Sequence, residues 1–259
     1  MERCLKARAA VYPSTDMDRV IIKASDVASI LNQNNYKSRE EVFNELWKKY
    51  SPGNFTSKTK KELAEEAISK SETAQAIFSL ASSFVSKGSD DAKTTFTKVE
   101  SIINSDSKLD VEDKKKVLEH VRSKVFTNHG TQKEAETAEK TSMKLEKDDR
   151  FHQLYIGTYN ERDYVVVGRI DRVEILPDGS KILIEIKNRV NGFFNRVFPR
   201  ENIQIQVYLE MLGFDKAKLV EQFNNNVNVL EVDRDRKLFE EQIYPGLAAF
   251  CFELSSSML

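Results

Sequence analysis

The sequence predicts an α/β fold: a central mixed β-sheet flanked by helices, with a helical lobe inserted ahead of it. Three observations carry this. β-Branched runs in the second half alternate with helix-period segments. The tripeptide Pro177-Asp178-Gly179 joins two such runs, as a hairpin turn requires. Residues 51–126 shift in composition to Lys, Glu, Ser and Ala, with apolar residues at helical spacing.

Ser25 and Asp26 precede the apolar positions Val27, Ala28, Ile30 and Leu31, and short polar side chains before an apolar run mark a helix N-terminus. A loop over 32–36 leads to a second helix from Ser38. Glu40 and Glu41 fall in its first turn, where negative charge suits the helix dipole, and Val42, Phe43, Leu46 and Trp47 share one face. In the lobe, Leu63, Ala67, Ile77, Phe78, Ala81, Val85, Phe96, Val99 and Ile103 mark three or four short helices. These end in Leu118, Val121 and Val125, with breaks at 86–90 and 104–108. Nothing there resembles a reactive centre, so a scaffold is expected. A helix follows over 131–145, then strands over 154–158, 164–167, 172–176 and 181–187. A helix over 201–212, strands over 218–223 and 227–232 and a final helix over 234–254 complete the reading. The expected organisation is an N-terminal helical part over 1–50, the lobe over 51–126 and an α/β core over 127–259.

With 259 residues, 40% of them hydrophobic, the chain can bury a substantial core. Its formal charge of −1 accompanies a charged fraction of 31%, so attraction to a polyanion has to come from local clustering. The cysteines, Cys4 and Cys251, lie far apart with no thiol or histidine at ligand spacing, which suggests neither a disulfide framework nor a zinc site. Residues 1–8 are charged, and no run approaches the ~20 apolar residues of a membrane span. A soluble, unprocessed, intracellular chain without a membrane partner is expected.

The chemistry concentrates in the second half. The apolar run 165–168 is followed by Arg169-Ile170-Asp171-Arg172, so Asp171 stands where a buried strand emerges or bends. In the next strand Glu185 and Lys187 share one face among Ile182, Leu183, Ile184 and Ile186. A hard cation bridging Asp171 and Glu185 offsets the cost of burying them, because Mg²⁺ takes oxygen ligands and keeps waters for chemistry; Mn²⁺ can substitute. Such a water is a strong nucleophile at neutral pH, and the ion neutralises charge on phosphate oxygens. Lys187 points the same way, able to orient the water or stabilise the transition state. In the competing reading, Asp171 and Arg172 join a surface ion-pair ladder while Glu185 and Lys187 pair across strands. Gln204 and Tyr208 share one face of the helix over 201–212, whereas Gln206 lies opposite, so only one glutamine faces such a site. Glu134 falls in the first turn of the helix expected from Thr131, a favourable place for any carboxylate.

Gly168-Arg169-Ile170-Asp171, Ile184-Glu185-Ile186-Lys187 and Gln204-x-x-x-Tyr208 resemble the signature of the PD-(D/E)xK nuclease superfamily, in its RecB-like exonuclease branch. Ile22-Lys23-Ala24-Ser25-Asp26-Val27 resembles the opening Ala-Ser-Glu/Asp segment of the lambda exonuclease and YqaJ viral recombinase family. Gly130-Thr131-Gln132-Lys133-Glu134 resembles that family's Gly-x-Gln-x-Glu helix start. The resemblance spans 20–50 and 125–255, leaves the lobe unmatched, and places Ile170 where the nominal motif has proline. It implies a restriction-endonuclease-like core, with Asp171, Glu185 and Glu134 as metal ligands and Lys187 as the catalytic lysine. Gln204 matches one spacing in the superfamily and Gln206 another, with Tyr208 beside them. The implied activity is Mg²⁺-dependent 5′ to 3′ digestion of double-stranded DNA ends in viral or phage-like replication or recombination. A single-strand annealing protein, assembly into a homo-oligomer, and a host-cell cytoplasm or nucleus go with it. Ser25 matches the position that holds the terminal phosphate, with Arg19 as a candidate basic partner. A structure-dependent endonuclease and a DNA-end-binding recombination protein without significant catalysis are the alternatives.

The stretch 187–200 carries Lys187, Arg189, Arg196 and Arg200, no acidic residue, and Phe193, Phe194 and Phe198 interleaved. Its cations can grip phosphates while a ring stacks on or wedges under a terminal base pair. Arg169 and Arg39 are further DNA-binding candidates, with Lys37 beside Arg39. His129 could contact phosphate, but histidines in such loops are more often structural.

Overall fold

The computed structural model describes residues 19–259. Cys4, the charged stretch 1–8 and the rest of residues 1–18 lie outside the described residues. The α/β class read from the sequence is observed, as two mixed sheets flanked by helices. The first sheet has the order β1 (Arg19–Lys23), β4 (Arg162–Gly168), β3 (His152–Tyr159), with β4 parallel to β1 and antiparallel to β3. The second has the order β2 (Leu145–Glu146), β5 (Arg172–Ile175), β6 (Lys181–Asn188), β7 (Lys216–Phe223), β8 (Asn226–Asp233), in which β6 and β7 are the parallel pair. Only residues 169–171 separate β4 from β5, so the chain leaves one sheet at Gly168 and enters the other at Arg172.

Gly168 permits that crossing. A Cβ there would collide with the Tyr208 ring and lie 2.8 Å from the Ala24 methyl carbon. Gly168→Ala is therefore expected to destabilise the fold by about 1–3 kcal/mol through overpacking. Urea unfolding measures this, and an unchanged midpoint would contradict the close packing.

The β5–β6 hairpin turns at Gly179, whose φ of +83° favours glycine, and the Gly179 amide bonds the Leu176 carbonyl. A helix then connects β6 to its parallel neighbour, as parallel pairing demands. This is α7 (Pro199–Leu212), closed by Gly213 in the left-handed region. The main core lies between the sheets and the helices α1 (Val27–Ile30), α2 (Arg39–Tyr50), α7 and α9 (Tyr244–Ser257), filled by Ile22, Tyr164, Leu183, Ile205, Leu219 and Phe250. Ser38 caps α2 with the reciprocal Glu41 bond that its sequence spacing requires.

The lobe consists of α3 (Lys60–Ser69), α4 (Glu72–Ser82), α5 (Ser89–Ser105) and the first part of α6 (Val111–Lys140), around its own core of Ala67, Ile77, Ala92, Ile103, Val117 and Val121. A break lies near each expected position, at 83–88 and 106–110.

Four expectations need correction. The helix read as starting at Thr131 is the end of the 30-residue α6, which runs through Gly130 and stops at Lys140. A stripe at four-residue spacing, Val117, Val121, Val125 and His129, stays buried along it, and that packing outweighs the roughly 1 kcal/mol cost of an internal glycine. Strand β1 escaped notice because it is five residues long and alternately exposed. The turn before α1 is a 3-10 turn without a side-chain cap, since Asp26 pairs instead with Lys37 at 3.0 Å. The final helix is broken: α8 (Arg236–Leu238) passes into a π-helical turn over 239–243, ahead of Pro245, which has no amide to donate. Among the described residues, no helix is long and apolar enough to cross a membrane.

Candidate active site

Asp171 lies one register step beyond the Arg172–Ile184 pair, which sets it beside Glu185. Its Oδ2 accepts a hydrogen bond from the Ile186 amide at 2.7 Å. Glu185 and Lys187 project from one face of β6, and Lys187 Nζ donates to Glu185 Oε1 at 2.6 Å. The Glu185 side chain is 3% exposed, and its Oε2 is buried without a hydrogen-bond partner. Burial pushes the Asp171 carboxyl well above its ordinary pKa, and the Glu185 charge adds to the rise. At Lys187 burial works against the ammonium, but the charges of Glu185 and Asp171 outweigh it and raise the pKa.

A buried acceptor without a donor is costly, and an oxygen-seeking cation would relieve it. Asp171 and Glu185 would be the residues to hold such an ion, since Mg²⁺ is commonly bound through only one or two carboxylates. Among the described residues, no group of three or more His, Cys, Asp or Glu is disposed to hold a metal ion. Glu134, the third acidic residue expected at the site, is engaged by an arginine. It lies well inside α6 rather than in a first turn, and Arg172, 9% exposed, binds its carboxylate at 2.7 Å. Its charge is still felt at Asp171, which it helps to raise.

Helix α7 supports the crossing. Tyr208 donates its hydroxyl hydrogen to the Arg169 carbonyl at 2.9 Å, and Gln204 Nε2 approaches that hydroxyl at 3.5 Å. Burial raises the Tyr208 pKa. Gln204, Lys187, Ser25, Asn34, Tyr36 and Arg200 line an open pocket of about 270 Å³. Gln206 faces elsewhere: it donates to the Asp233 carbonyl at 2.9 Å and accepts from the Asp235 amide at 2.8 Å, fixing the turn after β8. The side of α7 that bears Gln204 and Tyr208 therefore meets the site. A larger cavity of about 470 Å³, lined in part by Asp148, Arg150, His152 and Phe214, contains none of these residues. Within it Asp148 is engaged by its neighbours, lying 2.6 Å from Arg150 and 3.1 Å from His152.

The basic candidates divide. Ser25 is exposed at the pocket, with Arg200 on its lining. Arg196 is exposed, 4.6 Å from the centre of the Phe198 ring. Arg189 touches the pocket wall but is committed to carboxylates: its side chain is 7% exposed and bonds Glu201 at 2.7 Å and Glu221 at 2.8 Å. Arg39 is held by Glu253 of α9 and lies over the Phe250 ring. Arg19 stands at the far end of β1 from Ser25, in register with Asp163, so it is not the basic partner of Ser25. The Arg169 side chain pairs with Asp149 at 3.1 Å and lies over Phe151, outside the pocket lining. Lys37 is bound by Asp26 and Glu45. His129 is buried with its Nδ1 2.7 Å from the Ser86 hydroxyl, a structural contact. Sequence reading passed over Asn34 and Tyr36, which lay in an undifferentiated loop; only the aromatic ring of Tyr36 hinted at more.

No protein-family model matches the chain, and no curated protein sequence does. Among solved structures it is similar to SSO0001, with 18% identity and a TM-score of 0.40 over 70% of this chain and 84% of that one. It is also similar to an alkaline exonuclease from Laribacter hongkongensis, with 13% identity and a TM-score of 0.39 over 76% of this chain and 94% of that one. A phage related exonuclease from Haemophilus somnus 129PT gives 12% identity and a TM-score of 0.39 over 93% and 97% of the respective chains.

Proposed function

We propose that the protein is a divalent-metal-dependent nuclease that hydrolyses phosphodiester bonds in DNA, using Mg²⁺, with Mn²⁺ as a substitute. The observation that carries this reading is the buried, partnerless Oε2 of Glu185, beside Asp171 and below the Lys187 ammonium. Asp171 and Glu185 would hold the ion, which when bound supplies charge neutralisation at the phosphate and a water of lowered pKa. Asp171 is kept in place by the Ile186 amide, and Tyr208 anchors the crossing that presents it. Lys187 retains its proton and offers a donor to the negative charge that develops on the phosphate oxygens. Gln204, Ser25 and Arg200 border the space in which a phosphate would sit.

The finer reading follows the sequence resemblance to the lambda exonuclease and YqaJ family. It is 5′ to 3′ digestion of double-stranded DNA ends in viral or phage-like recombination, inside a host cell. A single-strand annealing protein as partner and a homo-oligomeric assembly belong to the same proposal. Residues 190–200 would meet the DNA end with Arg196 and Arg200, in place of the buried Arg189.

End-labelled linear duplex, nicked circle and closed circle, each with Mg²⁺ and then with EDTA, test both levels. Release of mononucleotides from linear ends, abolished by EDTA and restored by excess Mg²⁺, is the expected result. Cuts in closed circles would replace exonuclease with endonuclease, binding without product would leave a DNA-end-binding protein, and cleavage that persists in EDTA would reject the metal site.

A further inference from the structure

Four side chains at the edge of the pocket alternate ring and cation. The Arg200 guanidinium carbon lies 4.9 Å from the Tyr36 ring centre and 4.9 Å from that of Phe198. The Arg196 guanidinium lies 4.6 Å from the same Phe198 ring, and Phe194 meets Phe198 edge to face at 4.9 Å. Tyr36 comes from the loop between α1 and α2, Phe194, Arg196 and Phe198 from the connection between β6 and α7, and Arg200 from the first turn of α7. Two segments far apart in sequence thus build one row.

Core packing does not explain this row, because Tyr36 is 71% exposed and Phe194 is 43% exposed. Nor does charge pairing at its end, since Arg196 makes no ion pair with a carboxylate among the described residues. Rings and guanidinium planes share one property: both stack on flat π systems, and a guanidinium also turns N–H groups toward phosphate.

We propose that Tyr36, Arg200, Phe198 and Arg196 form a stacking track for the bases of single-stranded DNA beside the catalytic pocket. The proposal rests on the nuclease reading only for what happens next to the track. In a duplex the bases are covered on both faces, so a row of rings along the surface has little to stack on. An unpaired strand offers a free face at every base, and its phosphates match the cations in the row. Arg200 and Tyr36 belong to both the row and the pocket lining, so a strand lying on the track leads toward Lys187.

The test is fluorescence anisotropy on the whole protein in EDTA, with three labelled probes: a short oligothymidylate, an abasic backbone of the same length and a blunt hairpin duplex. Tyr36→Ala is expected to weaken oligothymidylate binding about tenfold, with the other two probes changed by less than about twofold. Tyr36→Trp is expected to restore binding, and oligothymidylate should quench the introduced indole beyond any change in the wild-type Trp47 signal. A Tyr36→Ala effect equal on all three probes, or absent from all, overturns the track, as does an indole that stays unquenched. The wild-type cleavage assay separates the two ideas: DNA cutting without a Tyr36 effect sinks the track alone, and base-dependent binding without Mg²⁺-dependent cutting sinks the nuclease alone.

Discussion

Lys187→Ala is expected to slow DNA cleavage by about 10²–10³-fold while leaving DNA affinity within about twofold. Among the described residues the ammonium is the one positive charge bonded to the Glu185 carboxylate, and its raised pKa keeps it protonated through the neutral range. On the proposed mechanism its value would lie in the charge it offers the transition state, with little effect on ground-state binding. Glu185→Gln should differ in kind. It preserves shape but removes a carboxylate proposed to hold the ion, so activity should fall and the Mg²⁺ concentration for half-maximal rate should rise. Single-turnover rates across a Mg²⁺ titration separate the two variants. A Lys187→Ala protein that cuts at the wild-type rate would remove the proposed chemistry.

The second large effect concerns stability. Arg189 donates through Nε to Glu221 and through Nη1 to Glu201, and the three side chains are 7%, 0% and 3% exposed. Glu221 also accepts from the Asn195 amide at 3.1 Å, tying the loop after β6 to β7. Truncating the arginine strands two buried carboxylates, so Arg189→Ala is expected to cost about 3–5 kcal/mol. Arg189→Lys should recover only part of this, because one ammonium cannot reproduce the fork that meets both acids. Burial by itself raises the Glu201 pKa, but the bonds from Arg189 more than reverse this and leave it below its ordinary value. That stabilisation is complete above the unfolded-state pKa of about 4.3 and is lost as pH falls through the lower folded value. Urea unfolding of the wild type and both variants near neutral pH and in mild acid measures these effects. An Arg189→Ala midpoint equal to wild type would contradict the burial.

What could be read in the sequence was local. The alternation along β6, the turn chemistry at Gly179 and the four-residue spacing of Gln204 and Tyr208 are short-range patterns, and together they located the acidic pair and its lysine. What escaped was decided by distant residues. Arg189 and Arg196 look alike in the chain, and only Glu201 and Glu221 bury one and leave the other in water. Strand β1 exists because β4 pairs with it across the lobe. The choice between Gln204 and Gln206 depends on the Asp233 carbonyl and the Asp235 amide, which pin the latter. Glu134 kept its neighbourhood to Asp171 but gained Arg172 as a partner, a contact between opposite ends of the motif region.

Helix α6 runs from the lobe core to a smaller apolar cluster of Ile182, Ile184, Ile186 and Val220, against which its Ala138 packs, and at 30 residues it is about 45 Å long. Near its end Asn188 donates to the Gly130 carbonyl at 2.8 Å and meets Thr137 at 2.6 Å, while Ser89 at the start of α5 bonds the Arg189 carbonyl at 2.9 Å. The lobe is thus geared to the two residues that follow Lys187. Any load on its far tip, from a protein or from a second copy of the chain, would bear on the end of β6 next to Lys187.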